Sequence, residues 1–338
     1  MLVRILKDVF ENEAYYDDLS NVLKNFRTGK HFLVVDKADD IDALKKSTWY
    51  EDLNSKDRKL IDYFLRTSTR KGNNLIITVS GAEPKRYFTP READKYLDQP
   101  LLLLLENSDY DSPFLNAIFK YFDTDATLSN AKKEQWLKYS MGGGASIGSV
   151  VKGDIANCYI DDCFTKEKCT YLRYFVIIDS DKKYPEMSVN SSKTQILDES
   201  RVPYHILFKR EKENYMPFAV LRSLKDNYLD LYLKFPRPDQ KDFFDIGDGF
   251  KENRNKLQIE VQKLYPEDDV PPKNYDILKR GMTIEAYAKG QKFKAEFSKL
   301  FSDKLVTKNA MLEVINHQKL TDDMDEYEQI VAGIKKLL

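Results

Sequence analysis

Two apolar runs in this chain end in carboxylate: Leu101-Leu-Leu-Leu-Leu-Glu106 and Tyr174-Phe-Val-Ile-Ile-Asp179-Ser-Asp181. A strand covered by helices on both faces has this unbroken apolar character, whereas a half-solvated strand alternates. In open parallel sheets, ligand chemistry collects just beyond the carboxyl ends of the strands, which is where these acids stand. If extension persists past Ile178, Asp179 and Asp181 leave one face and Ser180 the other, so both carboxylates could share one cation.

The same patterning organises the rest of the chain. His31-Phe-Leu-Val-Val-Asp36 and Asn74-Leu-Ile-Ile-Thr-Val-Ser80 predict strands, with helical periodicity over 9–26 and 57–66, so residues 1–97 read as an α/β domain. Thr89-Pro90-Arg91-Glu92 predicts a helix start, with a capping threonine, a proline in the first turn and a glutamate that closes a capping box. After Glu106, Asp111 or Ser112 is expected to cap a helix that Pro113 opens and that carries Phe114, Leu115, Ile118 and Phe119. Further helices are predicted over 130–137, 145–160 and 191–199. A strand then runs from Tyr204 to Phe208 and ends in Lys209-Arg210-Glu211-Lys212-Glu213-Asn214-Tyr215. Residues 98–222 thus predict a parallel sheet with flanking helices. Residues 223–338 predict a helical domain, with helical spacing over 251–263, 293–301, 304–315 and 326–338 and charged outer faces; it is expected to close over the site or dock a partner.

Composition narrows the function without choosing it. At 338 residues the chain can hold two or three domains, and 54 Lys plus Arg against 55 Asp plus Glu gives a formal net charge of −1, which does not steer nucleic acid. No apolar stretch approaches the ~20 residues of a membrane span, and the amino terminus lacks a signal-peptide core, so a cytoplasmic protein is expected. Cys158, Cys163 and Cys169 fit neither a disulfide framework nor paired zinc spacing, and are read as reduced and structural.

Several segments invite a chemical reading. Met141-Gly142-Gly143-Gly144-Ala145-Ser146-Ile147-Gly148 has the separation of a phosphate-binding loop, but Ser149 stands where its lysine belongs, and Ile147 breaks the dinucleotide fingerprint. A tight turn and a backbone phosphate contact both remain open there. Asp36, Asp39 and Asp40 could bind a metal, although strand-end turn chemistry is the commoner origin of such a cluster. His205, beside Ile206 and Phe208, reads more readily as a core histidine than as a base. Trp136 and some of the 21 tyrosines could stack on bases, but most are expected to be packing residues.

In order, the Glu106 strand, the Asp179-x-Asp181 strand and the segment from His205 through Arg210-Glu211…Glu213-Asn214-Tyr215 resemble the TOPRIM domain, closest to the OLD-type and stand-alone TOPRIM nucleases of anti-phage systems. The likeness covers roughly residues 99–220. It departs from the family at Asn107, where glycine is usual, and at Tyr110, where an aspartate is usual; Asp109 and Asp111 flank that position, and either could be the companion ligand.

The resemblance implies a Mg²⁺ site, with Mn²⁺ as a substitute, formed by Glu106, Asp179 and Asp181, with Asp109 or Asp111 as the companion ligand and Asp111 or Glu213 assisting a second ion. Mg²⁺ prefers oxygen ligands and completes its octahedron with water and substrate phosphate. Such a site can generate hydroxide and stabilise the leaving oxygen of an in-line displacement. Lys209 or Arg210 would then neutralise charge on the phosphate. The implied activity is cleavage of DNA or RNA, tRNA included, in antiviral defence. With no P-loop in the chain, ATP dependence would come from a partner ATPase of the OLD/ABC type, and homo-oligomer assembly stays open. The alternative is a non-catalytic module that keeps the fold to bind nucleic acid or a regulatory partner.

Overall fold

The computed structural model describes residues 1–67, 76–143, 146–158, 164–282, 292–318 and 324–338. It is an α/β protein with two parallel sheets flanked by helices and a largely helical C-terminal region. Gly144, Ala145 and Cys163 lie outside the described residues.

The first sheet has β1 (Leu2–Ile5) in the centre, between β2 (Phe32–Val34) and β3 (Ile76–Val79). The sequence pattern missed β1, because Leu-Val-Arg-Ile is too short to stand out as a run. Helices Tyr16–Arg27 and Ser55–Thr67 close the layer over Val3, Ile5, Leu23, Phe26 and Phe64. The acids at 36–40 serve this unit: Asp36 pairs with Arg4 at 2.6 Å, and buried Asp40 accepts from the Lys7 backbone N–H at 2.8 Å. Helix Pro90–Asp98 carries the capping box the sequence predicts. Its Glu92, fully buried, also takes Lys166 at 2.6 Å and the Thr165 N–H at 2.7 Å, tying the first unit to the second.

The second sheet runs β5-β4-β6-β7, all parallel: β4 Leu101–Leu105, β5 Leu137–Met141, β6 Tyr174–Ile178 and β7 Tyr204–Ile206. Leu103 stands opposite Tyr139 on one side and Phe175 on the other, and Ile178 opposite Ile206. Parallel register puts Glu106, Gly142 and Asp179 beyond the same edge.

Two expectations change here. The helix placed over 130–137 stops at Lys133; Gln135 turns left-handed (φ 63°), and Leu137 begins edge strand β5. The helix after Glu106 begins at Ser108, and its cap is Asn107, whose side chain accepts from the Asp109 and Tyr110 N–H groups. Neither Asp111 nor Ser112 caps it, and Pro113 lies inside, where only one backbone bond, to the Asp109 carbonyl, is forgone.

The faces of this sheet separate by parity. Leu101, Leu103, Leu105, Phe175 and Ile177 face the helix Ser108–Phe122 and, in the same core, the helices beyond residue 218. Leu104, Tyr174, Val176 and Ile178 face helices Ile147–Asn157 and Ser191–Glu199. The C-terminal region therefore shares a core with the sheet: Phe114 packs on Phe301 with centroids 5.2 Å apart, and Phe122 on Tyr327 at 4.8 Å. Among the described residues no helix is long and apolar enough to cross a membrane.

Candidate functional site

The acids are assembled by three connections at the strand ends. Beyond β5, the Gly142 N–H donates to the Leu105 carbonyl at 2.6 Å and the Gly143 N–H to that of Glu106 at 3.0 Å. Gly143 is left-handed, and a Cβ on Gly142 would strike Ile147, so these glycines form a tight turn whose N–H groups are already used on β4. Beyond β6, Ser180 Oγ donates to the Lys209 carbonyl at 2.7 Å and the Asp181 N–H to that of Arg210 at 3.0 Å, fastening the ends of β6 and β7 together. Beyond β7, residues Lys212–Tyr215 form a 3₁₀ turn.

That turn is anchored by its last two residues. Asn214 Nδ2 donates to the carbonyls of Lys241 and Phe244, both at 2.8 Å, and Tyr215 Oη donates to Glu326 at 2.6 Å. With Asn214 and Tyr215 held by the C-terminal region, the preceding Lys212 and Glu213 are turned inward and buried.

Lys212 is the centre of the site. Its Nζ lies 2.6 Å from Asp111 Oδ1, 3.8 Å from Glu213 Oε1 and 4.0 Å from Asp179 Oδ2, and its backbone N–H reaches Asp179 Oδ1 at 3.3 Å. Asp111 is held in place by the Asn107 N–H, 2.9 Å from Oδ2. Among the described residues both oxygens of Glu213 are buried without a hydrogen bond. Burial drives the Asp179 carboxyl well above its usual range; Lys212 opposes this, while Glu106, Glu213 and Asp111 reinforce it. Burial also works against the Lys212 ammonium, but Glu213, Asp179 and Asp111 together hold its pKa well above the ordinary lysine value.

Of the residues picked out by sequence, the structure thus brings Glu106, Asp111, Asp179 and Glu213 together. Asp109 and Asp181 are exposed. The expectation that Asp179 and Asp181 share a face is overturned: the strand ends at Ile178 and Asp181 is left-handed (φ 53°), which breaks the alternation and leaves one buried and one exposed. Lys209 points away from the acids into the core, 2.6 Å from Asp242 and 2.9 Å from the Val314 carbonyl. Arg210 stands at the rim, paired with Asp245 at 2.7 Å. His205 is partly buried against Glu326 at 3.0 Å. Cys158 and Cys169 are free thiols.

Sequence reasoning missed Lys212. In Glu211-Lys212-Glu213 it reads as part of a solvated charge run, and the only available signal was its place inside the segment that also supplied Glu213.

The donor set suits a hard cation in chemistry and charge: every donor is oxygen, and three carboxylates face one ammonium, with Glu106 acting on Asp179 beside them. Glu213 is buried with both oxygens free of hydrogen bonds, its one cation being the Lys212 ammonium 3.8 Å from Oε1 among the described residues. The spacing is set around an ammonium, however, and among the described residues no three Asp, Glu, His or Cys side chains converge on a common metal position. Comparison of the chain with protein-family models, curated proteins and solved structures gives no match.

Proposed function

We propose that this protein is a Mg²⁺-dependent nuclease of TOPRIM type, hydrolysing phosphodiester bonds in DNA or RNA. The observation that supports the reading is the gathering of Asp111, Asp179 and Glu213 around one ammonium, with Glu106 acting on Asp179 from the neighbouring parallel strand. Buried carboxylates in this excess are costly unless a cation neutralises them. Glu106 and Asp179, supplied by adjacent strands, would hold the ion, with Asp111 and Glu213 beside them and exposed Asp181 at the mouth. A bound Mg²⁺ would supply a hydroxide nucleophile and stabilise the leaving oxygen. Arg210, fixed by Asp245, and Lys212, once displaced from Asp111, are the cations placed to meet phosphate oxygens at this edge; buried Lys209 serves the core instead. By the same resemblance the protein acts in the cytoplasm in anti-phage defence, with a separate ATPase as partner.

One observation favours a second reading. Lys212 already neutralises part of the acid cluster, as a resident ammonium in a non-catalytic TOPRIM-fold module would. The two are separated by incubating the protein with plasmid DNA, phage DNA and total tRNA in Mg²⁺ or Mn²⁺, alongside Glu106→Ala and Asp179→Ala. Cleavage by the wild type that both variants lose supports the nuclease. If no substrate is cut, even with OLD/ABC-type ATPases added as candidate partners, the binding module stands.

A further inference from the structure

A cavity of about 510 Å³ opens at Arg210, two residues before Lys212 in the segment that follows β7, within the ~300–1,000 Å³ typical of ligand pockets. It starts where the acid site stops: Arg210 lines it, and the Arg210 carbonyl receives the Asp181 N–H at 3.0 Å. Lys183, two residues beyond Asp181, lines it as well, and Lys251 and Lys256 face it from the C-terminal region. Phe250 and Val261 with buried aromatic neighbours form its apolar part, the floor, and the carboxylates of Asp245 and Glu252 line the cavity beside the cations.

The cations on the rim are not equivalent. Arg210 is committed to Asp245 at 2.7 Å and Lys251 to Asp248 at 2.5 Å. Lys183 and Lys256 are exposed and have no ion pair among the described residues. Arg210 Nε is buried with no hydrogen-bond acceptor, Glu211 lying 3.6 Å away. A simple anion would need only the rim, and an apolar ligand only the floor. A nucleotide needs both, with its base on the floor and its phosphate at the lysines. A stacked duplex cannot put a base into such a cavity, but an unpaired nucleotide can.

We propose that this cavity seats one unpaired nucleotide of a DNA or RNA strand whose backbone crosses the acid site. Its phosphate meets Lys183 and Lys256 and its base lies against Phe250 and Val261. The choice of a strand over a free nucleotide rests on the nuclease reading; the match of ring and phosphate to floor and rim does not.

The test is binding of fluorescein-labelled single-stranded and duplex oligonucleotides by the full chain in EDTA, with AMP and inorganic phosphate as competitors. Single strands should bind more tightly than duplex. The double variant Lys183→Glu/Lys256→Glu and the cavity-filling Val261→Trp should each weaken single-strand binding about 10-fold, equivalent to one lost base stack, with unchanged circular dichroism. Single-strand binding that is absent, or that both variants leave at the wild-type level, overturns the proposal. Competition by AMP at concentrations matching the strand's own affinity reassigns the cavity to a free nucleotide and overturns the strand. Since no metal or cleavage is involved, tight variant-sensitive binding without cleavage in Mg²⁺ would sink the nuclease reading alone. Cleavage with variant-insensitive binding would sink this proposal alone.

Discussion

Lys212 Nζ sits 2.6 Å from Asp111 Oδ1, and the other oxygen of Asp111 takes the Asn107 N–H at 2.9 Å, so one carboxylate joins the strand end after Glu106 to the turn after β7. Both partners are buried, and removing one member of such a pair costs about 3–5 kcal/mol because the other is stranded. Lys212→Met should therefore melt well below the wild type in EDTA. Mn²⁺ should raise the melting temperature of the variant more than that of the wild type, since the cation then meets Asp111, Asp179 and Glu213 without a competing ammonium. Equal shifts in the two proteins would show that Lys212 does not stand in a cation's place.

Asp179 and Asp181 should separate stability from function. Asp181 is exposed, and exposed substitutions usually change stability by less than about 0.5 kcal/mol. Asp181→Ala is expected to melt like the wild type yet lose nuclease activity at least ~100-fold if it holds an ion at the mouth of the site. Asp179→Asn should lose activity too, while melting at a higher temperature in EDTA, because it removes a charge that burial, Glu106, Glu213 and Asp111 all disfavour. Melting curves and plasmid cleavage on the same preparations check both, and an active Asp181→Ala would take that residue out of the site.

What the sequence displayed and what it hid follow from physical differences between the elements. Strands β4 and β6 were legible because both faces of each are buried, which forces the five-leucine run and Tyr-Phe-Val-Ile-Ile. Strand β5, Leu-Lys-Tyr-Ser-Met, is an edge strand whose pattern is set by one neighbour, and a helix was expected across its start. Glu106 and Asp179 could be picked out because they directly follow buried strands. The fate of Asp181 turned on one left-handed residue that alternation cannot foresee. Lys212 was invisible because its burial is imposed from far along the chain, by Tyr215 on Glu326 and Asn214 on the segment 241–244.

Lys209 tests the distinction between core and site within one segment. Its ammonium is fully buried against Asp242, which His317 also approaches at 2.5 Å. Burial lowers its pKa and Asp242 opposes the shift. Lys209→Met leaves Asp242 short of a counter-charge and should cost about 3–5 kcal/mol, whereas Lys209→Met with Asp242→Leu should recover most of that loss. Urea unfolding of the two single variants and the double variant measures the coupling. Additive losses would mean that Lys209 acts through something other than Asp242.

Lys30 gives a pH dependence with a definite sign. Burial, followed by repulsion from Arg173, pulls its pKa down from 10.5 to about 8, even though Nζ donates to the carbonyls of Asp98 at 3.2 Å and Gln99 at 3.1 Å. Below pH 8 both folded and unfolded chains carry this proton, and the folded state bears the cost of the buried charge. Between about 8 and 10.5 the unfolded chain still binds the proton while the folded chain has released it, so this residue makes stability rise with pH across that window. Lys30→Met removes both the cost and the slope. The wild type should therefore gain on the variant in melting temperature from pH 7.5 to 9.5, with the gap between them closing as pH rises. A difference that stays constant over the range would show that Lys30 keeps its proton in the folded protein.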